Sequence, residues 1–283
     1  MPELPEVETI RIGLERQLTG ATIFGVDVFD FPGVIEPMTP AQFTAAVAGQ
    51  QLVRFRRRGK YLLLDLSSNA TIIVHLRMTG NLLVTDRDTP PTRFEHLRFN
   101  FGDGRQLRFA DQRKFGRVQI ASRDDVKSLD AKLGIEPLGR GFTAAWLLSA
   151  LARRTGQIKA VLLDQSLIAG IGNIYADEAL FRTRIHPQHA ADALQPEQVS
   201  GLHRNVRRVL RGSIDRGGTT FSTYRNSAGE SGTNQLALQV YGLGRAGAPC
   251  PRCGQLLTCI IVAGRSSHLC PRCQQLPVSN GPS

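Results

Sequence analysis

Long apolar runs are missing from this sequence. No segment approaches the roughly 18 consecutive apolar residues that a membrane-spanning helix requires. The first residues include three acidic side chains, Glu3, Glu6 and Glu8, and do not follow the basic-then-apolar order of a secretion signal. These absences argue against a helical membrane protein, and we expect a cytosolic protein with no membrane partner.

Acidic residues are scarce in the last part of the chain. From 201 to 283 there are two, Asp215 and Glu230, against ten arginines, so this stretch carries +8 of the net charge of +11. A segment so rich in positive charge suits a polyanionic partner. Nucleic acid is the first candidate and an anionic membrane surface the second.

Cysteine is also rare, and its spacing is specific. Four of the five cysteines form two CxxC pairs separated by sixteen residues, Cys250 with Cys253 and Cys270 with Cys273. Disulfides are disfavoured in the cytosol, and two such pairs can place four thiolates around one zinc ion. Four thiolates leave no open position, so we predict one structural zinc per chain. The alternatives are unrelated buried thiols or a redox CxxC, which lacks a βαβ context here. We expect Cys259 to be a small core residue of the intervening hairpin.

Periodicity divides the chain into a strand-rich first part and a helical second part. A helix is predicted over 3–19, and Thr39 is predicted to cap a second, short helix. The β-rich segments, which indicate a sandwich, are 51–66, 70–76, 96–101, 106–110 and 116–121.

Glycine and proline at 133–141 mark a linker, and the pattern then becomes helical. Helices are predicted from Thr143 to about 154 and over 158–164, 173–182 and 196–215, followed by a polar loop at 217–235. The predicted class is α+β. The predicted domains are a β-sandwich at 1–132, a helical domain at 142–246, a zinc hairpin at 247–275 and a disordered tail at 276–283.

Pro2, the second residue, can act as a nucleophile under one condition. If Met1 is removed, Pro2 carries a terminal secondary amine, and such amines titrate near pH 7.7–8.0, far below lysine. A neutral fraction can therefore attack a sugar C1′ and form an iminium, with Glu3 beside it to carry protons. The alternative is purely structural, because Pro2 and Glu3 also suit the start of a helix.

Together these features resemble the formamidopyrimidine-DNA glycosylase family over residues 2 to about 275. The Leu-Pro-Glu-Val run favours the purine-specific branch over the endonuclease VIII branch. Besides the zinc pairs, the matching blocks are 2–8 (PELPEVE), 58–61 (RGKY), 75–80 (HLRMTG), 111–116 (DQRKFG), 170–175 (GIGNIY), 217–220 (GGTT) and 264–266 (GRS).

The resemblance implies a β-sandwich joined to a helical domain with a helix–two-turn–helix element and a zinc β-hairpin. It assigns Pro2 as the Schiff-base nucleophile and Glu3 as the proton donor. Lys60 would assist β-elimination and contact phosphate, and Arg265 would assist δ-elimination. From the residues alone, Lys60 can equally be a solvated charge in a basic run.

The resemblance also implies a DNA-binding surface. Met78, Arg113 and Phe115 match the wedge that fills the stack when a base is extruded. Asn173 is expected to cap the helix after a glycine turn and to favour a phosphate there. Further phosphate or groove contacts are predicted at His75, His96, Arg154 and Lys159. The alternatives are core positions for Met78, Phe115 and His75, and a strand-surface position for His96.

The implied activity is excision of 8-oxoguanine and formamidopyrimidines from damaged double-stranded DNA, followed by β,δ-elimination. No organic cofactor is expected, and the protein is predicted to be a monomer in the cytoplasm, at the nucleoid of a bacterium. The loop at 225–235 varies within the family, so the lesion ranking stays open. Two rivals remain: an enzyme of this fold for oxidised pyrimidines, and a non-catalytic zinc-containing DNA-binding protein.

Overall fold

The computed structural model describes residues 1–242 and 245–276. The chain forms two compact units. The first contains Met1–Lys132 and Ser213–Asn234, and the second contains Leu133–Gly212 and the residues from Gln235 on. Residues 213–234 thus group with the first unit, although the sequence placed them in the helical domain. The tail predicted at 276–283 lies, from 277 on, outside the described residues.

The first unit holds two antiparallel four-stranded sheets, in the strand orders β1-β6-β7-β5 and β2-β3-β4-β8. Their strands are β1 (Ile23–Val28), β2 (Leu52–Arg58), β3 (Tyr61–Leu66), β4 (Thr71–His75), β5 (Gly80–Asp86), β6 (Glu95–Phe101), β7 (Arg105–Asp111) and β8 (Arg117–Ala121). The helices are α1 (Leu4–Leu18), α2 (Pro40–Val47) and α3 (Arg123–Lys132), with a 3-10 turn at Pro32–Ile35.

Burial of apolar side chains explains these elements. In α1 the stripe predicted from periodicity, Val7, Ile10, Leu14 and Leu18, is fully buried in the core shared with both sheets. The Thr39 hydroxyl accepts the N–H of residue 42 at 3.3 Å and caps α2 as predicted. The α+β prediction with an N-terminal sandwich is confirmed.

The second unit is helical with one hairpin. Its helices are α4 (Ala144–Leu151), α5 (Ile158–Leu163), α6 (Asn173–Thr183) and α7 (Pro196–Asp215), the last of which continues into the first unit from Ser213. A 3-10 turn at Asn234–Ala237 precedes the hairpin of β9 (Thr258–Val262) and β10 (Arg265–Leu269). No helix within the described ranges is both long enough and apolar enough to cross a bilayer.

Candidate functional site

The start of α1 is held by a reciprocal pair of carboxylates. Glu3, the N-cap residue, accepts a hydrogen bond from the backbone N–H of Glu6, and the Glu6 carboxylate accepts the N–H of Glu3 at 2.9 Å. Both side chains and Pro2 are buried, whereas Met1 is half exposed. This capping box fixes the amide that directly follows Pro2.

Glu6 also anchors the segment after α7. Its second carboxylate oxygen accepts the N–H of Thr219 at 2.8 Å, and the buried Tyr224 hydroxyl donates to Gly217 O at 3.1 Å. Burial, followed by the nearby Glu6 charge, raises the pKa of Tyr224. At Gly218 the backbone has φ +86°, and a Cβ would lie 2.9 Å from the Tyr224 ring. In the sequence Glu6 stood out only as one of three acidic side chains near the start, and nothing indicated a role for Tyr224.

Lys60 lies in the turn between β2 and β3. Gly59 adopts φ +55°, which glycine accommodates without strain, and its carbonyl accepts a hydrogen bond from Arg57 at 3.0 Å. Arg57 in turn pairs with Glu8 of α1 at 2.8 Å. The turn that carries Lys60 is therefore tied to the helix that begins beside Pro2.

His75 ends β4 as a neutral ring. Its Nδ1 accepts the backbone N–H of Arg77 at 3.0 Å, and its ring packs edge-on against Tyr61. Burial, then the positive charges of Arg77 and Lys60, lower the pKa of His75 to about 4. The hydrogen therefore sits on Nε2, and the ring can offer a phosphate a neutral donor.

The three residues predicted to form a wedge lie on two exposed turns. Met78 is 39% exposed and Phe115 is 48% exposed, so the alternative that they are core residues is wrong. The Arg113 guanidinium stacks 4.7 Å from the centre of the Phe115 ring. The apolar surface that Met78 and Phe115 leave exposed is not stabilised by folding and is available for contact with another surface.

The structure places the His96 side chain inside the first unit, and its predicted DNA contact stays a prediction. The side chain is buried, with Nε2 2.9 Å from the Asp111 carbonyl and Nδ1 3.0 Å from the Asp30 carboxylate. Both ring nitrogens are thus engaged inside the first unit. The alternative that His96 is a strand-surface residue is wrong, because its side chain is buried.

In the second unit the Lys159 side chain is also buried, and its predicted phosphate contact stays a prediction. Its side chain is fully buried, and Nζ lies 2.6 Å from Asp177 Oδ1. The same ammonium donates to Ser266 O and to Ser267 Oγ, each at 2.7 Å. The group holds β10 against α5 and α6 instead of facing solvent.

Asn173 is the first residue of α6, not its cap. Gly172 occupies the N-cap position without a side-chain hydrogen bond, so the predicted capping role is wrong. The Asn173 amide instead donates to Ser266 O at 2.9 Å and contributes to the same hairpin contact. Its predicted phosphate contact is not tested by this geometry.

Arg154 and Arg265, two basic residues with predicted roles, are exposed in the second unit. Arg154 pairs with Asp164 at 3.2 Å and remains exposed. Arg265 is the exposed first residue of β10, next to Ala263 and Gly264, both of which have positive φ. It therefore projects from a tight hairpin tip, and its predicted role in δ-elimination stays a prediction.

Two acidic residues of α6 that the sequence reasoning missed hold the surrounding segments. Asp177 Oδ2 accepts the N–H of His268 at 2.9 Å. Glu178 Oε1 accepts three consecutive backbone N–H groups, from Gln239 to Tyr241, at 2.8–3.0 Å. Burial raises the pKa of Glu178 although these bonds oppose the shift.

The four cysteines of the CxxC pairs converge. Their Sγ atoms all lie within 4.8 Å of one another, with Cys253 at 3.5 Å from Cys270 and at 3.4 Å from Cys273. Tetrahedral zinc with Zn–S bonds of about 2.3 Å requires sulfur separations of about 3.8 Å, so the donor set fits this metal. Backbone N–H groups of Arg252 and Cys273 point at two of the sulfurs, which favours thiolates.

The cluster sits on its own small core. Cys250 and Cys270 pack with Phe181 of α6, and the Arg252 guanidinium lies over the Phe181 ring. Cys259, in contrast, points away on β9 and is exposed, so the expectation that it belongs to the hairpin core is wrong.

Three family models match nearly the whole chain. They are the formamidopyrimidine-DNA glycosylase N-terminal domain at residues 1–118, the formamidopyrimidine-DNA glycosylase H2TH domain at 133–225, and the zinc finger found in FPG and IleRS at 247–276. The third match coincides with the four-cysteine cluster, which supports zinc as the ion that it binds.

Curated relatives and solved structures agree with these matches. Formamidopyrimidine-DNA glycosylases of Herpetosiphon aurantiacus and Chloroflexus aurantiacus are 46% and 47% identical over 263 residues, covering 93% of this chain and 96% and 94% of theirs. A Lactococcus lactis FPG mutant in complex with a Fapy-dG-containing DNA is 37% identical, with a TM-score of 0.89 and coverage of 97% of this chain and 100% of that one. MutM bound to carbocyclic 8-oxo-G-containing DNA has a TM-score of 0.88, with the same identity and coverage.

Proposed function

Because the chain belongs to the formamidopyrimidine-DNA glycosylase family, we propose that it excises oxidised purines from duplex DNA and nicks the strand at the lost nucleoside. The observation that carries this proposal is the fixed N-terminus, where the Glu6 carboxylate holds the amide after Pro2 and the Glu3 carboxylate holds the N–H of Glu6. The DNAs in the related complexes contain Fapy-dG and carbocyclic 8-oxo-G, which supports purine lesions as substrates.

The chemistry begins with the Pro2 amine. Once Met1 is removed, the nitrogen lone pair forms a bond to C1′ of the damaged nucleotide, and the glycosidic bond breaks as the base leaves with a proton from Glu3. An amide nitrogen lacks this reactivity because its lone pair is delocalised into the carbonyl. Loss of the amine hydrogen and ring opening of the sugar give a cationic iminium at C1′.

The iminium is an electron sink that makes the backbone breakable. Loss of a C2′ hydrogen expels the 3′ phosphate in a β-elimination, which we assign to Lys60 as assisting residue. A second elimination expels the 5′ phosphate, and the family resemblance assigns Arg265 to it. Water then hydrolyses the iminium, which releases the Pro2 amine and leaves the former C1′ as an aldehyde.

DNA recognition supplies the remaining roles. The basic C-terminal part supplies positive charge that attracts the DNA phosphates. His75, Arg154 and Asn173 are proposed to contact these phosphates. Met78, Arg113 and Phe115 take the place of the extruded base. One zinc ion per chain braces the hairpin of Arg265. We propose a monomer without an organic cofactor, acting on the chromosome in the cytoplasm.

Borohydride trapping tests the proposal directly. Protein lacking Met1 is incubated with a duplex that contains 8-oxoguanine, and the reductant converts the iminium into a covalent adduct. Mass spectrometry should locate the adduct on Pro2, and an uncleaved N-terminal fusion should form none. An adduct on Lys60, or full activity of the fusion, would show that Pro2 is only a helix-start residue.

Two comparisons separate the rivals. A thymine glycol duplex cut faster than the 8-oxoguanine duplex would identify a pyrimidine-specific enzyme. A zinc-loaded protein that binds the lesion duplex but forms no adduct and no nick would identify a binding protein instead.

A further inference from the structure

A single buried carboxylate lies between the two turns that carry the wedge. Asp111 ends β7 opposite Gly80 of β5, and only 1% of its surface is exposed. In the sequence, Asp111 stands out only as the first residue of the block 111–116 (DQRKFG). Among the residues that the structure describes, every hydrogen bond that its side chain accepts comes from the wedge turns.

Each oxygen of this carboxylate serves two donors. Oδ1 accepts the Thr79 hydroxyl and the backbone N–H of Arg113, the latter at 3.1 Å. Oδ2 accepts the N–H groups of Phe115 and Gly116 at 2.8 and 2.7 Å. Thr79 directly follows Met78, so the donors come from both wedge turns.

Close packing and the backbone leave the second turn little freedom. A Cβ at Gly116 would lie 2.4 Å from the Phe109 ring and 3.2 Å from Asp111 Oδ2. Lys114 adopts φ +58°, and its N–H bonds to the Asp111 carbonyl at 3.2 Å. The same carbonyl faces His96 Nε2, so the backbone of Asp111 is itself held in place.

We propose that Asp111 is the positioning residue of the wedge: its carboxylate sets the Met78 turn and the Arg113–Phe115 turn in their inserting arrangement before DNA binds. The inference rests on the proposed function. Its physical basis is preorganisation, since side chains ordered in advance do not lose conformational freedom during base extrusion. Asp111 does not touch the reacting atoms and acts only through the turns.

The carboxylate is required because all four partners are donors in this arrangement. An asparagine at 111 would keep the size of the side chain but would offer one accepting oxygen, and its NH2 group would face N–H donors. Two hydrogen bonds to a buried charge would be lost, and the amide would be left against unfavourable partners.

The test compares Asp111→Asn on two substrates. Excision of 8-oxoguanine from duplex should slow by about tenfold or more, since one hydrogen bond to a charged group corresponds to roughly that factor. Nicking of a duplex with a preformed abasic site should change less than about twofold, because no base must be extruded there. A 2-aminopurine next to the lesion should show slower fluorescence rise in the variant.

Two further variants make the outcome decisive. Asp103→Asn, in the exposed turn between β6 and β7, is the matched control and should leave both rates unchanged. Thr79→Val removes one of the four donors, and it should give a smaller loss confined to excision even if Asp111→Asn fails to fold. Thr79→Val also keeps the three backbone N–H donors.

The outcomes separate the inference from the activity on which it rests. Equal losses on both substrates would show that Asp111 merely stabilises the fold, and a wild-type excision rate in both variants would also overturn the inference. If the parent protein itself forms no adduct with either DNA, it is the proposed function that fails.

Discussion

The carboxylate of Glu6 accepts the backbone N–H of Glu3, the amide that directly follows Pro2, at 2.9 Å. Its other oxygen holds the N–H of Thr219, more than two hundred residues further along the chain. A helix cap, which by itself would only stabilise α1, thus also connects the residue after the proposed nucleophile to a distant loop of the same unit.

This connection predicts the effect of Glu6→Gln. Both oxygens accept N–H groups, and an amide can accept through only one, so one buried bond must be lost. We expect urea unfolding to show a loss of about 1–3 kcal/mol. Borohydride trapping on a preformed abasic site should slow as well, because the amide after Pro2 is less fixed. Glu15→Gln on the exposed face of α1 is the control. Parent-like stability and trapping in Glu6→Gln would contradict this role.

Replacing a cysteine of the cluster should affect zinc binding, whereas replacing the exposed Cys259 should not. Cys253→Ser is expected to lose zinc and to loosen the hairpin of Arg265, since structural zinc stabilises small domains directly. Cys259→Ser changes a cysteine outside the cluster and should retain the metal. Elemental analysis and duplex affinity measure both effects. Full zinc content in Cys253→Ser would refute the ligand set.

Breaking the ion pair of Lys159 should destabilise the second unit. Lys159→Met leaves the buried Asp177 carboxylate without its ammonium, a change that costs about 3–5 kcal/mol in buried pairs. The exposed pair of Arg154 and Asp164 gives the matched control, and Arg154→Met should cost less than about 1 kcal/mol. Calorimetric unfolding checks both values. A similar small cost for the two variants would mean that the Lys159 pair is unimportant for stability.

The lowered pKa of His75 predicts a pH-dependent loss of stability. An unfolded histidine takes up its proton near pH 6.5, whereas the folded ring stays neutral until about pH 4. His75 therefore contributes full stability above pH 6.5, and this contribution is lost as the pH falls from 6.5 toward 4. Between pH 7.5 and pH 5 the loss is at most about 2 kcal/mol. Urea unfolding of His75→Gln should show a correspondingly smaller pH dependence, and an unchanged one would contradict the assignment.

Local signals in the sequence predicted much of the fold. The caps Thr39 and Thr143 and the apolar stripe of α1 are where they were expected, because such patterns depend on neighbours within a few residues. The cysteine pairs converge for a similar reason, since their spacing alone restricts the geometry. Helix α3 was missed, because none of its residues is fully buried and its apolar period is weak.

The sequence did not reveal the burial of side chains whose partners are distant along the chain. Lys159 contacts Ser266 and Ser267, and His96 contacts the Asp111 carbonyl, but no local pattern indicates these partners. Asn173 carried a cap signal, but the glycine before it took that position. Burial of a polar side chain depends on tertiary contacts, which no window along the chain reveals.

The division of the chain has a consequence for its synthesis. The first unit takes its last segment, Ser213–Asn234, only after the eighty residues of Leu133–Gly212 have been made. The first unit is therefore incomplete when its eight strands have been made, since Glu6 still lacks the N–H of Thr219. Such long sequence separation slows folding. The peptide bond between Met1 and Pro2 is thus made before Thr219 can reach Glu6, so we expect Met1 removal, which the proposed nucleophile requires, to precede closure of this part of the unit.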